Sequence, residues 1–244
     1  MKLLFNRRIK EHAEELNEMN YFPVPDGDTG YNLSKTLGCI EDIDFTNLKD
    51  YFQKLSKKLI FTATGSSGNL LTLFVLGMNN NYSEDWTDMC KKAAKFTIDA
   101  TYGPQEGAFL SAVSSVPEKY DGLRDFLCQY LESIKEIYET GWEKIPILKK
   151  NNKRDSGTLG LIYILEDLID IVDSIKHIYC MEFLFKGNFP EIKEKLTNLG
   201  TDIILIPTEE YTKLHIHSTD TNKVLEALKG YEIINQKIDD NLII

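Results

Sequence analysis

Two acids stand two residues apart in the segment Pro23-Val24-Pro25-Asp26-Gly27-Asp28-Thr29-Gly30. Carboxylates crowded this closely repel each other, and two prolines stiffen the loop that keeps them together. A hard divalent cation relieves the repulsion, and oxygen donors at this spacing suit Mg²⁺. Ca²⁺ is the competing ion, but the acid ladder and distal glutamate of an EF-hand loop are missing. An ordinary Asp-Gly turn before a helix explains one of the acids and leaves the rest of the segment unexplained.

Three further glycine-containing polar loops share the design, each running into an apolar stretch. They are TGSSGN (64–69) before LLTLFVLG, TYGPQEG (101–107) before AFLSAVSSV, and NKRDSGTLG (152–160) before LIYILEDLIDIV. The start of a helix carries unpaired N–H groups and the positive end of the dipole, which makes it an anion site. Glycine lets the backbone come close, and Ser or Thr adds hydroxyl donors. If the helices run alternately up and down, the four loops meet at one end and form a cradle for a polyphosphate. Any one of them, taken singly, also reads as a plain cap and turn.

A second constellation lies near the C-terminus. In YTKLHIHS the alternation of a strand puts Leu214 and Ile216 on one face and Lys213, His215 and His217 on the other. The segments from HIYCMEFLFKG to YEIINQKI follow the order βαββαβ, in which the first and third strands are neighbours. Cys180 on the first strand then lies beside the two histidines. Cys, His and His are good Zn²⁺ ligands, with Glu182 as a candidate fourth. The plain alternative is a small core thiol next to a solvated histidine pair.

The elements that must position these residues change character near residue 175. Before it, apolar residues recur at helical spacing, as in Phe126, Tyr130, Leu131 and Ile134, or Leu161, Ile164, Leu165 and Leu168. After it, short strands alternate with short helices, one of them opened by Thr219 or Asp220 and closed by Gly230. An all-α domain is expected over about 1–172 and a small α+β, ferredoxin-like domain over about 175–244. The 244 residues carry a formal net charge of −10, which disfavours nucleic acid and anionic membrane surfaces. The N-terminal apolar run stops at Phe5, so no signal peptide is expected, and no window suits a bilayer. The four scattered cysteines are not a disulfide framework, and a cytoplasmic protein is the expectation.

The segment NYFPVPDGDTGYNLSKT resembles the nucleotide-binding signature of the dihydroxyacetone kinase L-domain family. Within it, the chain is most similar to the ATP-binding subunit of bacterial fatty acid kinase. ATGSSGNLL resembles the second loop of that subunit, YGPQEGAFLSAV the third and NKRDSGTLGLIYIL the fourth, while YCMEFLFKG and KLHIHSTD resemble its middle domain. The resemblance implies an antiparallel barrel of about eight helices with ATP at one end. Asp26 and Asp28 would bind Mg²⁺, with Asn20 a neutral ligand for a second ion where the dihydroxyacetone kinases have an Asp. Thr29, Gly30 and Asn32 would line the phosphates with Ser66, Ser67 and Gly68, and the later loops would add Gly103, Asp155 and Gly157. The second loop lacks the Arg usual in fatty acid kinases, and Arg154 is the candidate for stabilising charge on the transferred group, or else a solvated residue of a basic run. The resemblance stops after the middle domain, so the large C-terminal domain of that family is expected to be missing.

A carboxylate acceptor is already ionised and needs no general base, which suits helical loops without histidine; His12, the one histidine before residue 175, reads as surface. The expected activity is therefore ATP-dependent phosphorylation of a fatty acid presented by a DegV-like carrier protein. The alternatives are a nucleotide-binding regulator without transfer activity and a dihydroxyacetone-type kinase subunit. A homodimer is expected from frequency alone.

Overall fold

Helical spacing of apolar side chains shapes the first part of the chain, and strand alternation shapes the second. A computed structural model describes residues 2–174 and 178–241. Residues 175–177, which hold the expected boundary and the first residue of the expected strand at His177, lie outside the described residues. The chain divides into two compact units, Met1–Ser174 and Ile175–Ile244.

The first unit is built from α1 (Arg7–Glu11), α2 (Ala13–Glu18), α3 (Thr29–Leu37), α4 (Leu48–Thr62) and α5 (Gly65–Asn80). It continues with α6 (Trp86–Asp99), α7 (Phe109–Ser114), α8 (Gly122–Thr140), α9 (Pro146–Asn151) and α10 (Ser156–Ser174). Each long helix turns one stripe inward: Tyr51, Leu55 and Leu59 from α4, Phe126, Tyr130 and Ile134 from α8, and Leu161, Ile164 and Leu165 from α10 share one core. Side-chain caps start several helices, as where Asn47 accepts from the Asp50 amide (2.9 Å) and Asp85 from that of Asp88 (3.1 Å). Asp167 of α10 is buried, yet it accepts from the Arg8 amide at 3.0 Å and from Arg8 Nη1 at 2.6 Å. Such a buried carboxylate is tolerable because its charge is paired. The pairing ties α1 to α10, the last helix of the unit.

The second unit runs β1 (Ile178–Lys186), α11 (Ile192–Leu196), β2 (Thr201–Pro207), β3 (Tyr211–Ser218), α12 (Thr221–Ala227) and β4 (Ile233–Asn241). The strands are antiparallel in the order β2-β3-β1-β4. Met181, Phe183 and Phe185 of β1 and Leu214 and Ile216 of β3 point to the buried face, where they pack with Ile192, Leu196 and Val224 of the two helices. The opposite face carries Cys180, Glu182, His215 and His217. Asp220 is the cap of α12, accepting from the Lys223 amide at 3.0 Å. The helix before β2 is limited to the single turn of α11, because the bonds that follow, Thr197 to Glu194 and Leu199 to Leu196, are of the tighter i→i−3 kind. Among the described residues no helix is long and apolar enough to cross a membrane.

Candidate functional site

All four polar loops of the helical unit contribute to one cavity of about 830 Å³. The first supplies Phe22 and Pro23, and the second Gly65, Ser66, Ser67 and Asn69. The third supplies Thr101, Tyr102, Gly103 and Gln105, and the fourth Asp155 and Gly157. Leu70, Ala100, Phe109 and Leu110 give it an apolar side, and Tyr102 is fully exposed at its rim. An apolar wall facing a polar one is the usual make-up of a site for a mixed ligand. Hydrogen bonds and close backbone contacts join the loops. Thr29 Oγ1 lies 2.9 Å from Ser156 Oγ in buried contact, and a Cβ on Gly157 would sit 3.3 Å from the Asp155 carboxylate and 3.5 Å from the Ser67 hydroxyl. Gly65 has φ +65°, and a Cβ there would collide with the Asn32 side chain.

The helix starts around the cavity are not equivalent. At α3 the amides are already taken by two asparagines from upstream. Asn17 Oδ1 accepts from the Gly30 amide at 2.8 Å and the Tyr31 amide at 3.4 Å. Asn20 Oδ1 accepts from the Asp28 amide (3.2 Å), the Thr29 amide (3.1 Å) and the Thr29 hydroxyl (2.8 Å), while its Nδ2 donates to Val24 O at 2.9 Å. At α10 the Asp155 carboxylate accepts from the Thr158 amide at 2.8 Å and the Thr158 hydroxyl at 2.7 Å. Burial pushes the Asp155 carboxyl up from its ordinary value, and hydrogen bonds from Thr158, Phe109 and Gly157 work against that shift. At α5, by contrast, Thr64 makes no side-chain cap; its hydroxyl donates to Thr62 O at 3.1 Å. Thr36 Oγ1 accepts from the Thr64 amide at 3.1 Å, and the Gly65-Ser66-Ser67 start lies on the cavity with amides that no described side chain covers.

Asp26 is exposed and Asp28 half-buried. Asp28 occupies the cap position of α3 without bonding to its own helix, and neither carboxylate has a protein partner among the described residues. Two neighbouring acids with every lone pair open are a donor set for a hard cation.

Of the residues expected at the nucleotide, Ser66, Ser67, Gly103, Asp155 and Gly157 line the cavity. Thr29, Gly30, Asn32 and Gly68 are buried in the packing behind its wall, where a Cβ on Gly68 would strike the Thr36 hydroxyl. The oxygen of Asn20 is occupied by three donors and braces the first loop. Arg154 does not line the cavity; its Nε donates to Glu139 at 2.8 Å and its guanidinium lies over the Trp142 ring at 5.6 Å. Asn17, Tyr102 and the apolar wall were not foreseen. An Asn on an amphipathic helix and an aromatic residue in a loop carry no pattern that marks them.

On the open face of the sheet, register places Cys180 opposite His217 and Glu182 opposite His215. Ligand atoms of Cys180, His215 and His217 lie within 4.8 Å of one another. Cys180 Sγ is 3.9 Å from His215 Nδ1, and His217 Nδ1 is 3.0 Å from an Asp202 carboxylate oxygen. Asp202 reaches that face through a bulge in β2, at φ 51°.

Residues 23–170 match the DAK2 domain. The chain belongs to this family. Residues 176–241 match the FakA-like middle domain of fatty acid kinase, so the two matches fall on the two units. Protein YloV of Bacillus subtilis (strain 168) is 24% identical over 292 aligned residues, covering 96% of this chain and 53% of that protein. An uncharacterized protein of Staphylococcus saprophyticus is 24% identical over 290, covering 96% and 52%. The chain thus spans about half the length of these curated relatives. Among solved structures, the dihydroxyacetone kinase of C. freundii matches with a TM-score of 0.53 at 17% identity, over 69% of this chain and 33% of that one, a likeness of fold.

Proposed function

We propose that this chain binds Mg·ATP in the four-loop cavity and transfers the γ-phosphoryl group to the carboxylate of a fatty acid held by a carrier protein. The observation that carries the proposal is the meeting of all four loops around one cavity, with an acid pair, partnerless among the described residues, farther along the loop that supplies Phe22 and Pro23. The apolar wall of Leu70, Phe109 and Tyr102 suits a base. The uncapped start of α5, with the Ser66 and Ser67 hydroxyls, suits phosphate oxygens. Asp26 and Asp28 would hold Mg²⁺, which when bound there screens charge on the β- and γ-phosphates. The Asp155 carboxylate, by capping α10 and bonding the Phe109 amide, keeps the third and fourth loops in register. In this reading the helices form the antiparallel barrel of the family, and a carboxylate acceptor needs no base from the chain. The match to the fatty acid kinase middle domain favours a carrier-bound fatty acid over dihydroxyacetone.

Calorimetric titration of ATP with Mg²⁺ tests the reading. Asp26→Asn and Asp28→Asn should each weaken Mg-dependent binding by more than the roughly tenfold that loss of a supporting group costs. Acyl phosphate should form from carrier-bound fatty acid and not from dihydroxyacetone. Nucleotide binding indifferent to Mg²⁺ and to both substitutions refutes the site. Tight binding without transfer to either acceptor leaves a nucleotide-dependent regulator.

The clustering of Cys180, His215 and His217 supports a second reading for the small unit, a Zn²⁺ site in which Asp202 orients His217. Metal analysis after zinc supplementation should give close to one ion per chain, lost in Cys180→Ala; a stoichiometry near zero ends this reading.

A further inference from the structure

An aspartate just before a helix has a default occupation. Its carboxylate folds back onto the second and third amides of the first turn, where it also meets the positive end of the dipole. For Asp28 those amides belong to Gly30 and Tyr31, and Asn17 Oδ1 holds both, at 2.8 and 3.4 Å. Asn17 sits in α2, a different helix, kept in place by the backbone contact between Ala13 and Gly30. Asn20 acts on the backbone. By accepting from the Asp28 and Thr29 amides it fixes Asp28 at φ −127°, ψ 6°, away from the extended conformation from which a cap side chain reaches its helix.

We propose that Asn17 is a positioning residue for the divalent cation: it caps α3 in place of Asp28 and so keeps the Asp28 carboxylate free to bind metal, with Asn20 locking the loop. The inference rests on the reading of Asp26 and Asp28 as cation ligands. An amide does this better than an acid, because a third carboxylate capping the helix would add repulsion to an already crowded pair. A neutral oxygen satisfies the amides and leaves the local negative charge to the two residues that use it.

The test is titration of the full chain with Mn²⁺ alone, followed by the electron paramagnetic resonance of the free ion, alongside thermal melting. In Asn17→Ala the Gly30 and Tyr31 amides become available and draw the Asp28 carboxylate towards them against the hold of Asn20. Mn²⁺ affinity should then fall roughly tenfold, about the strength of an ordinary cap, with little change in melting because one cap replaces another. Asn17→Asp, which keeps an acceptor at the same place, should recover most of the affinity. A lower melting temperature with unchanged Mn²⁺ affinity in Asn17→Ala makes Asn17 a structural cap only and overturns the proposal. If Asp28→Ala removes Mn²⁺ binding while Asn17→Ala does not, the inference fails and the metal reading stands. No Mn²⁺ binding by the unaltered chain, or binding that Asp28→Ala leaves intact, sinks both.

Discussion

Gly30→Ala is the sharpest perturbation of the site that leaves every proposed ligand in place. The added Cβ would run into the carbonyl oxygen, carbonyl carbon and Cα of Ala13. These are backbone atoms, which cannot rotate aside as a side chain would, so α2 must back away from α3. Overpacking of this kind costs about 1–3 kcal/mol. The same movement stretches the bond from the Gly30 amide to Asn17, a cap worth about 1 kcal/mol. Alanine returns about 1 kcal/mol through its better helix propensity. The net destabilisation is about 1–3 kcal/mol. For a domain of this size that lowers the melting temperature by about 2–12 °C. Differential scanning calorimetry reads the shift, and Gly38→Ala is the control. Gly38 has φ −55° and nothing near its missing Cβ, so alanine there should be neutral or stabilising by up to about 1 kcal/mol. Cation affinity should fall with stability in Gly30→Ala, since α2 carries Asn17. Melting within a degree of the parent, with cation affinity intact, would refute the account of how α2 positions the first loop.

Two more expectations follow from side chains at the cavity and beside it. Because burial holds the Asp155 carboxyl above its ordinary value, the folded state binds that proton more tightly than the unfolded chain. Its contribution to stability is therefore present at low pH and is lost as pH rises from about 3.9, the unfolded Asp value, through the raised folded one. The melting temperature of Asp155→Asn relative to the parent should climb across that window; a difference flat in pH contradicts the shift. Arg154 can serve phosphoryl transfer only by exchanging Glu139 for a phosphate oxygen. Glu139→Gln, which removes the competitor, should then raise turnover and Arg154→Ala lower it. Equal turnover in all three leaves Arg154 as a clasp on Glu139 and Trp142.

Much of this architecture was legible in the residues. A period of two in YTKLHIHS fixes which side chains share a face, and the βαββαβ order makes β1 and β3 neighbours, so Cys180 falls beside His215 and His217. Polar glycine-containing loops ahead of apolar helices announced a shared cavity, because only helix starts combine close backbone approach with free amides. The side of the wall on which each small residue stands could not be read. Ser67 and Gly157 face the cavity, whereas Thr29, Gly30 and Gly68 fill the packing behind it, and both jobs call for the same small or hydroxylated types. Asp202 was equally hidden, since its place beside His217 depends on a bulge rather than on alternation.

The deepest gap concerns the acids themselves. From sequence, an Asp at the mouth of a helix is a cap before it is anything else, and four such loops look like four anion sites. The structure separates them by where the capping oxygen comes from. At α10 it is local, from Asp155; at α3 it comes from Asn17 of α2 and from Asn20 just after it; at α5 Thr36 takes the Thr64 amide, and no described side chain takes those of Gly65, Ser66 and Ser67. A cation ligand and an anion cradle make opposite demands on a helix start, since one needs its amides silenced and the other needs them bare. Neutral asparagine oxygens on the α3 start, and none on the Gly65-Ser66-Ser67 start of α5, would meet both demands on neighbouring loops, with α5 on the cavity and α3 packed behind its wall. No periodicity along the chain could show this, because the residue that decides it, Asn17, is eleven positions upstream of the aspartate it frees.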